Sequence, residues 1–147
     1  MVASGARRLE VKIPAGVETG SRVRVAGEGE PGHSGGRPGD LYLVISVIDH
    51  HKFRRKGKDL YVRAPVDLYT LVLGGEVAVD TLKGRILLTV PPETKADRVF
   101  RLRGQGMPLL RNKEQHGDLY VEIEAVIPQG LSDKEKQLFG QLADLRP

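Results

Sequence analysis

Gly27, Gly29 and Gly32 stand at the spacing G-x-G-x-x-G. That spacing can cradle a pyrophosphate, but only where a helix opens within it and offers its N-terminal amides. Here Pro31 and more glycines follow, and Gly104 and Gly106 return the pair without a third glycine. The motif therefore reads as a turn. Histidines stand at 33, 50, 51 and 116. Adjacent His50 and His51 would point to opposite faces of a strand, a poor arrangement for chelation, so all four read as surface residues. Asp40, Asp59, Asp67 and Asp118 each precede Leu-Tyr. That regularity suits carboxylates bonding turn amides at the start of strands, not the facing carboxylates of a hydrolase. Nothing sets a serine on a strand-to-helix elbow as a nucleophile. No catalytic residue and no metal ligand emerges, and the chain is expected not to be an enzyme. The run from Lys52 to Lys58 is basic, with Phe53 its one stacking residue. With a net charge of +4 it reads as a solvated linker, and nucleic-acid binding is not expected.

The elements that must carry these residues are short strands. The chain has 147 residues, 39% apolar and 29% charged, with 18 glycines and 9 prolines to make turns. There is no cysteine, so disulfides and thiolate metal sites are excluded. No apolar run approaches a membrane span, so no membrane partner is expected. Leu9, Val11 and Ile13 alternate with Glu10 and Lys12, which predicts a half-buried strand ended by Pro14. Val23 and Val25 share one face of the next strand, with Arg22 and Arg24 on the other. Residues 27–39 are a glycine-rich loop. Leu41, Leu43, Ile45 and Val47 then share one face, and Tyr42, Val44 and Ile48 share the other with Ser46. A strand apolar on both faces is covered twice or awaits a partner. Residues 50–59 are polar and basic, and a subdomain boundary is expected there. Residues 60–66 predict a strand, with Pro65 at an edge or a strand end. Residues 68–73 predict a turn or so of helix, capped by Gly74 and Gly75. Ile86, Leu88 and Val90 return on Val77, Val79 and Thr81 as a hairpin turning at Lys83 and Gly84.

Much of this order is stated twice. Pro14 and Pro91 lie 77 residues apart, as do Gly27 and Gly104, and Gly39 and Gly117 lie 78 apart. A repeated order of strand, Gly-x-Gly turn, loop and strand means two copies of one β-unit, too few for a solenoid. The end changes character. Ser132 and Glu135 form a capping box, and Leu138, Phe139, Leu142 and Leu145 come next on one helical stripe. That stripe either docks on its own subdomain or pairs with another chain.

Several stretches resemble the C-terminal region of DnaJ, the J-domain co-chaperone family. They are Val11-Lys-Ile-Pro-Ala-Gly-Val17, Arg24-Val-Ala-Gly-Glu-Gly-Glu30, Gly39-Asp-Leu-Tyr42, Leu73-Gly-Gly-Glu76, Thr81-Leu-Lys-Gly84 and Phe100-Arg-Leu-Arg-Gly-Gln-Gly106. The resemblance implies a mainly β fold. Two similar β-sandwich-like subdomains stand in tandem, the first incomplete, followed by a C-terminal α-helix. The expected division is the second part of a first client-binding domain over 1–50, a second β-domain over 51–130 and a dimerisation helix over 131–147. The implied function is to bind unfolded or extended polypeptides in the cytoplasm and deliver them to a DnaK-type ATP-dependent chaperone. The resemblance places Leu43 in the client groove, and by alternation Leu41 and Ile45 share its face. It implies a homodimer through Leu138, Phe139, Leu142 and Leu145. No histidine precedes proline, so the His-Pro-Asp of a J domain is absent, and so are Cys-x-x-Cys zinc repeats and the first strands of the first β-domain. The chain is therefore expected to be a fragment, with no cofactor of its own and zinc allowed only in a full-length parent. The groove's other wall belongs to the absent strands, so client capture is expected to be weak. Relatives resembling curved-DNA-binding protein suggest an alternative, a DNA-associated architectural module. Phosphate binding would weaken steeply with salt, whereas apolar capture would not.

Overall fold

The structure, a computed structural model, describes residues 8–32 and 36–147. Its elements run β1 (Arg22–Val25), β2 (Leu41–Val44), β3 (Phe53–Lys56), β4 (Asp59–Asp67), α1 (Leu68–Leu73), β5 (Gly75–Thr81), β6 (Gly84–Val90), β7 (Val99–Leu102), β8 (Leu119–Val126) and α2 (Asp133–Asp144). The chain is mainly β, with a helix near its C-terminal end, as expected. β1 pairs with β2, β5 pairs with β6, and four strands lie in the order β3-β4-β8-β7.

The chain forms two compact units, one of Met1–Leu60 with Arg103–Leu119 and one of Tyr61–Leu102 with Tyr120–Pro147. Backbone bonding holds the first unit together. The Met107 amide donates to the Lys58 carbonyl at 2.8 Å. A Cβ on Gly16 would run into the Pro108 carbonyl, so the second glycine loop lies directly against the start of the chain. Two expectations are corrected here. Residues 53–56 are a strand and not a linker, because they pair beside β4 across the turn at Gly57 and Lys58, with Phe53 buried and Arg55 turned inward. Arg55 Nη1 donates to the Val17 carbonyl at 2.7 Å and Nη2 to the Gly16 carbonyl at 3.0 Å, so this cation holds structure. Residues 9–13, expected as a strand, belong to none.

In the second unit β5 and β6 pair antiparallel from Gly75↔Val90 to Thr81↔Gly84, leaving Leu82 and Lys83 as the two-residue turn. Val66 of β4, Leu71 of α1, Val90 of β6 and Ile123 of β8 meet in one core, with Val77, Phe100 and Ala125 packed around it. Each strand alternates, so one face of each enters this core and the other meets water. The α1 helix is six residues long, begun by Asp67 and ended at Gly74, whose φ is 85°. Pro65 sits in β4 two residues before the strand ends at Asp67.

The sequence repeat is also a repeat of bonds. The Gly27 amide donates to Asp40 Oδ1 at 3.0 Å, and the Gly104 amide to Asp118 Oδ1 at 3.1 Å. Gly29 N donates to the Gly39 carbonyl at 2.8 Å, and Gly106 N to that of Gly117 at 2.9 Å. A Cβ at Gly29 would lie 2.5 Å from the Asp40 carbonyl oxygen, and one at Gly106 would lie 2.6 Å from that of Asp118. Only glycine admits that approach.

Candidate functional site

Among the described residues, two apolar surfaces bring expected residues together, one on each unit. The first is on β1 and β2. Val23 faces Leu43 and Val25 faces Leu41 across the antiparallel pair. Ile45 extends this face beyond the assigned strand, since its amide donates to the Ser21 carbonyl and its carbonyl accepts from Gly20 N, both at 2.8 Å. The expected residues Leu41, Leu43 and Ile45 are thus together on one face, each half-buried. Their counterparts in the second copy, Leu119, Val121 and Ile123, are all buried. The opposite face carries exposed Tyr42 and Val44 beside Arg22 and Arg24. Arg24 is held there by Asp40, whose Oδ2 accepts from Nε at 2.6 Å. The Gly27 amide and then Arg24 hold the Asp40 carboxyl below its ordinary value.

The second surface is on α2. Its start is the expected capping box: the Glu135 amide donates to Ser132 Oγ at 3.1 Å, and the Ser132 amide donates to Glu135 Oε1 at 2.9 Å. Both the Ser132 amide and its hydroxyl hold the Glu135 carboxyl below its usual value. The helix buries none of its residues. Phe139 is half-buried, its ring 6.2 Å from that of Tyr69 on α1. Leu138 is exposed, Leu142 is 60% exposed and Leu145, the C-cap residue, is 79% exposed. Tyr69 with Leu138, Phe139, Leu142 and Leu145 lines an open cleft. Tyr69 was not among the expected residues. Asp67-Leu-Tyr69 shares its tripeptide with the strand starts, but here it begins the helix expected over residues 68–73.

The other candidates resolve as structure. Among the described residues, the loop at Gly27 leads into β2 without a helix that could hold a phosphate. His33 lies outside the described residues. His50 and His51 do not diverge as strand alternation would require: they lie in no strand, and their rings stack at 4.6 Å. His116 pairs in a bridge with Pro108. Among the described residues, no three His, Asp or Glu side chains come together in a way that could hold a metal ion, and no helix is long and apolar enough to cross a membrane. The four Asp-Leu-Tyr carboxylates take three different tasks. Asp40 and Asp118 close glycine turns, Asp67 caps α1 by accepting from Thr70 N at 2.9 Å, and Asp59 accepts from the Asp118 amide at 2.8 Å.

Comparison with known proteins places this fold. The model of the DnaJ C terminal domain family matches residues 3–128. A chaperone protein DnaJ of Dictyoglomus thermophilum is 46% identical over 140 residues, covering 95% of this chain and 36% of the relative. One of Hyphomonas neptunium is 49% identical over 139 residues, covering 94% of this chain and 36% of the relative. One of Brevibacillus choshinensis is 45% identical over 139 residues, covering 95% of this chain and 37% of the relative. The chain belongs to the DnaJ C terminal domain family. It spans little more than a third of the length of these relatives.

Proposed function

We propose that this chain is the client-holding part of a DnaJ-type co-chaperone. It keeps unfolded or extended polypeptides from associating and supports their delivery to a DnaK-type ATP-dependent chaperone in the cytoplasm. The observation that carries this reading is the half-covered apolar face of Val23, Val25, Leu41, Leu43 and Ile45. Apolar surface that water still reaches gains about 25 cal/mol per Å² when a client covers it. One layer of two strands offers little area, so capture is weak and exchange is fast, which suits a carrier. The chain does this by contact alone, without catalysis and without a cofactor.

The test is suppression of aggregation when a denatured client is diluted into buffer with this chain. The parent chain should suppress it, and Leu43→Asp should lose most of that effect while keeping the parent's circular dichroism. Suppression should persist in high salt, because covering apolar surface involves no released counterions. A Leu43→Asp chain as active as the parent overturns the reading. Binding of duplex DNA that collapses with salt would favour the architectural alternative.

A second observation supports pairing of two copies. Leu142 and Leu145 are 60% and 79% exposed on a helix that buries none of its own residues. A twofold arrangement lets the same stripe serve both partners. Sedimentation over a concentration series should show a reversible dimer that Leu138→Glu/Leu142→Glu abolishes. A parent chain that stays monomeric throughout would leave the stripe without this role.

A further inference from the structure

Arg54 and Lys56 of β3 are exposed, but the Arg55 side chain between them is only 20% exposed. Its guanidinium serves three main-chain carbonyls. Nε donates to Gly57 at 2.8 Å, Nη1 to Val17 at 2.7 Å and Nη2 to Gly16 at 3.0 Å. Nη2 also lies 3.6 Å from Glu18 Oε1. A planar fork of fixed donors can hold several carbonyls at once, whereas a lysine ammonium is a point charge on a flexible stem. The turn so gripped carries the bonds onward. The Ser21 amide donates to the Glu18 carbonyl at 3.0 Å, and the Ser21 carbonyl accepts from the Ile45 amide at 2.8 Å. Gly20 N donates to the Ile45 carbonyl at 2.8 Å, and Val47 N to Thr19 Oγ1 at 3.0 Å. Residues 16–21 therefore join Arg55 on one side to Ile45 and Val47 on the other.

The second copy uses the same turn with a different anchor. Arg98 is the counterpart of Ser21, 77 residues on. Its amide donates to the Lys95 carbonyl at 3.2 Å, and its carbonyl accepts from Ile123 N at 3.0 Å. That turn opens with Glu93 and Thr94, the counterparts of Gly16 and Val17. Their amides donate to the Val72 and Leu71 carbonyls of α1, at 3.0 Å and 2.8 Å. In each copy the turn that fixes the isoleucine is itself fixed at its first two residues, by a helix in one and by a guanidinium in the other.

We infer that Arg55 is a positioning residue for the apolar face of β1 and β2. It acts through the turn, which keeps Ile45 and Val47 in line with Leu41 and Leu43 past the end of β2. This rests on the client-holding reading and adds to it a residue that lies outside the face. With the fork lost, water takes the Gly16 and Val17 carbonyls, the turn shifts and Ile45 leaves the face. Leu41 and Leu43 stay, because Val25 and Val23 of β1 pair with them directly. The loss of client binding is therefore partial.

The experiment compares the parent, Arg55→Lys, Thr19→Val and the double variant, each as the whole chain. Residue 19 is exposed, so Thr19→Val breaks the far end of the relay without touching a core. Circular dichroism and urea unfolding check the fold of each. In both single variants the Ile45 methyl resonances should shift and broaden while those of Ile123 do not move. The Ile45 and Val47 amides should exchange faster with solvent, while the Gly106 amide, bonded to the Gly117 carbonyl, keeps its rate. The probe for binding is labelled, reduced and carboxymethylated α-lactalbumin, a permanently unfolded chain, followed by fluorescence anisotropy. Its Kd should rise about threefold to fivefold in each single variant, the effect of one partly covered apolar side chain leaving the contact. The double variant should bind no worse than the weaker single one, because both changes break one relay. A lower urea midpoint with Ile45 signals and Kd at the parent's values would give Arg55 a stabilising role alone and overturn the inference. Full binding by Arg55→Lys overturns it too, since charge would then suffice. Should Arg55→Lys fail to fold, unchanged Ile45 signals and Kd in Thr19→Val overturn it instead. In all these cases a Leu43→Asp chain that loses binding leaves the client-holding reading standing. A Leu43→Asp chain that binds like the parent removes that reading, and the inference with it.

Discussion

Gly16 and Glu93 hold the same place in the two copies and share a left-handed backbone. An L-residue there costs about 1–2 kcal/mol, so the first copy uses glycine where the second tolerates a glutamate. Space makes the difference, since a Cβ at Gly16 would meet the Pro108 carbonyl. Gly16→Ala should therefore destabilise by at least about 2 kcal/mol, from strain and overlap together. Glu93→Gly relieves strain but loosens the unfolded chain, so it should stay within about 1 kcal/mol of the parent. Urea unfolding of the two variants checks both. Repeated Asp-Leu-Tyr made the turn-bonding carboxylates legible in the sequence. It could not separate the cap at Asp67 from the turns at Asp40 and Asp118, because the same tripeptide can open a helix or a strand. Asp40, Asp67 and Glu135 are all depressed below their ordinary values of 3.8, 3.8 and 4.5, first by backbone amides. A lowered folded-state value means stability that is present above the ordinary value and lost as pH falls through the folded one. The urea midpoint of the parent should accordingly fall between about pH 5 and about pH 3, and Asp40→Asn/Asp67→Asn/Glu135→Gln should flatten that fall. A triple variant with the parent's slope would show that these bonds do not set the acid limit.

At the scale of elements, short-range signals are legible in the sequence and long-range contacts are not. The capping box, the glycine-ended α1 and the β5–β6 hairpin each carry their instructions within a few residues. β3 pairs beside β4 across the turn at Gly57 and Lys58, but its basic residues read as solvent-facing and hide that hairpin. Phe53 is buried, and the carbonyls of residues 16 and 17 receive Arg55. Those partners lie 38 and 39 positions away, out of reach of any local pattern. Residues 9–13 fail in the opposite sense: the alternation of a strand is present, and no backbone hydrogen bond joins it to another described residue. α2 is 12 residues long, a length marginal for a helix alone in water, so its cap matters. Ser132→Ala removes the hydroxyl side of the box and should cost about 1 kcal/mol of helix stability. Hydrogen exchange at the Glu135 and Lys136 amides should quicken first, and exchange unchanged there would mean that packing alone holds the helix.

The sequence states one pattern twice, and the second copy buries its strand face more fully than the first. Ile45 and Ile123 are the same residue at the same repeat position, 78 apart, but Ile45 is half-buried while Ile123 is 7% exposed within a closed core. The repeat was plain in the sequence, whereas this difference was not, because burial depends on which strands cover a face and not on the face itself. Residue type and loop geometry are shared, whereas β8 lies between β4 and β7 and β2 pairs with β1 in a two-stranded sheet. Ile123→Ala leaves a cavity among Val66, Leu71 and Val90 and should cost about 2–5 kcal/mol. Ile45→Ala removes methyl groups that already touch water, with no closed cavity left behind, and should cost about 1 kcal/mol or less. Their roles should cross in function, with Ile45→Ala weakening client retention at full folding and Ile123→Ala leaving retention intact wherever the chain remains folded. Urea unfolding paired with the aggregation assay measures both axes. Equal destabilisation by the two variants would mean that the first face is already a closed core and not a surface kept for clients.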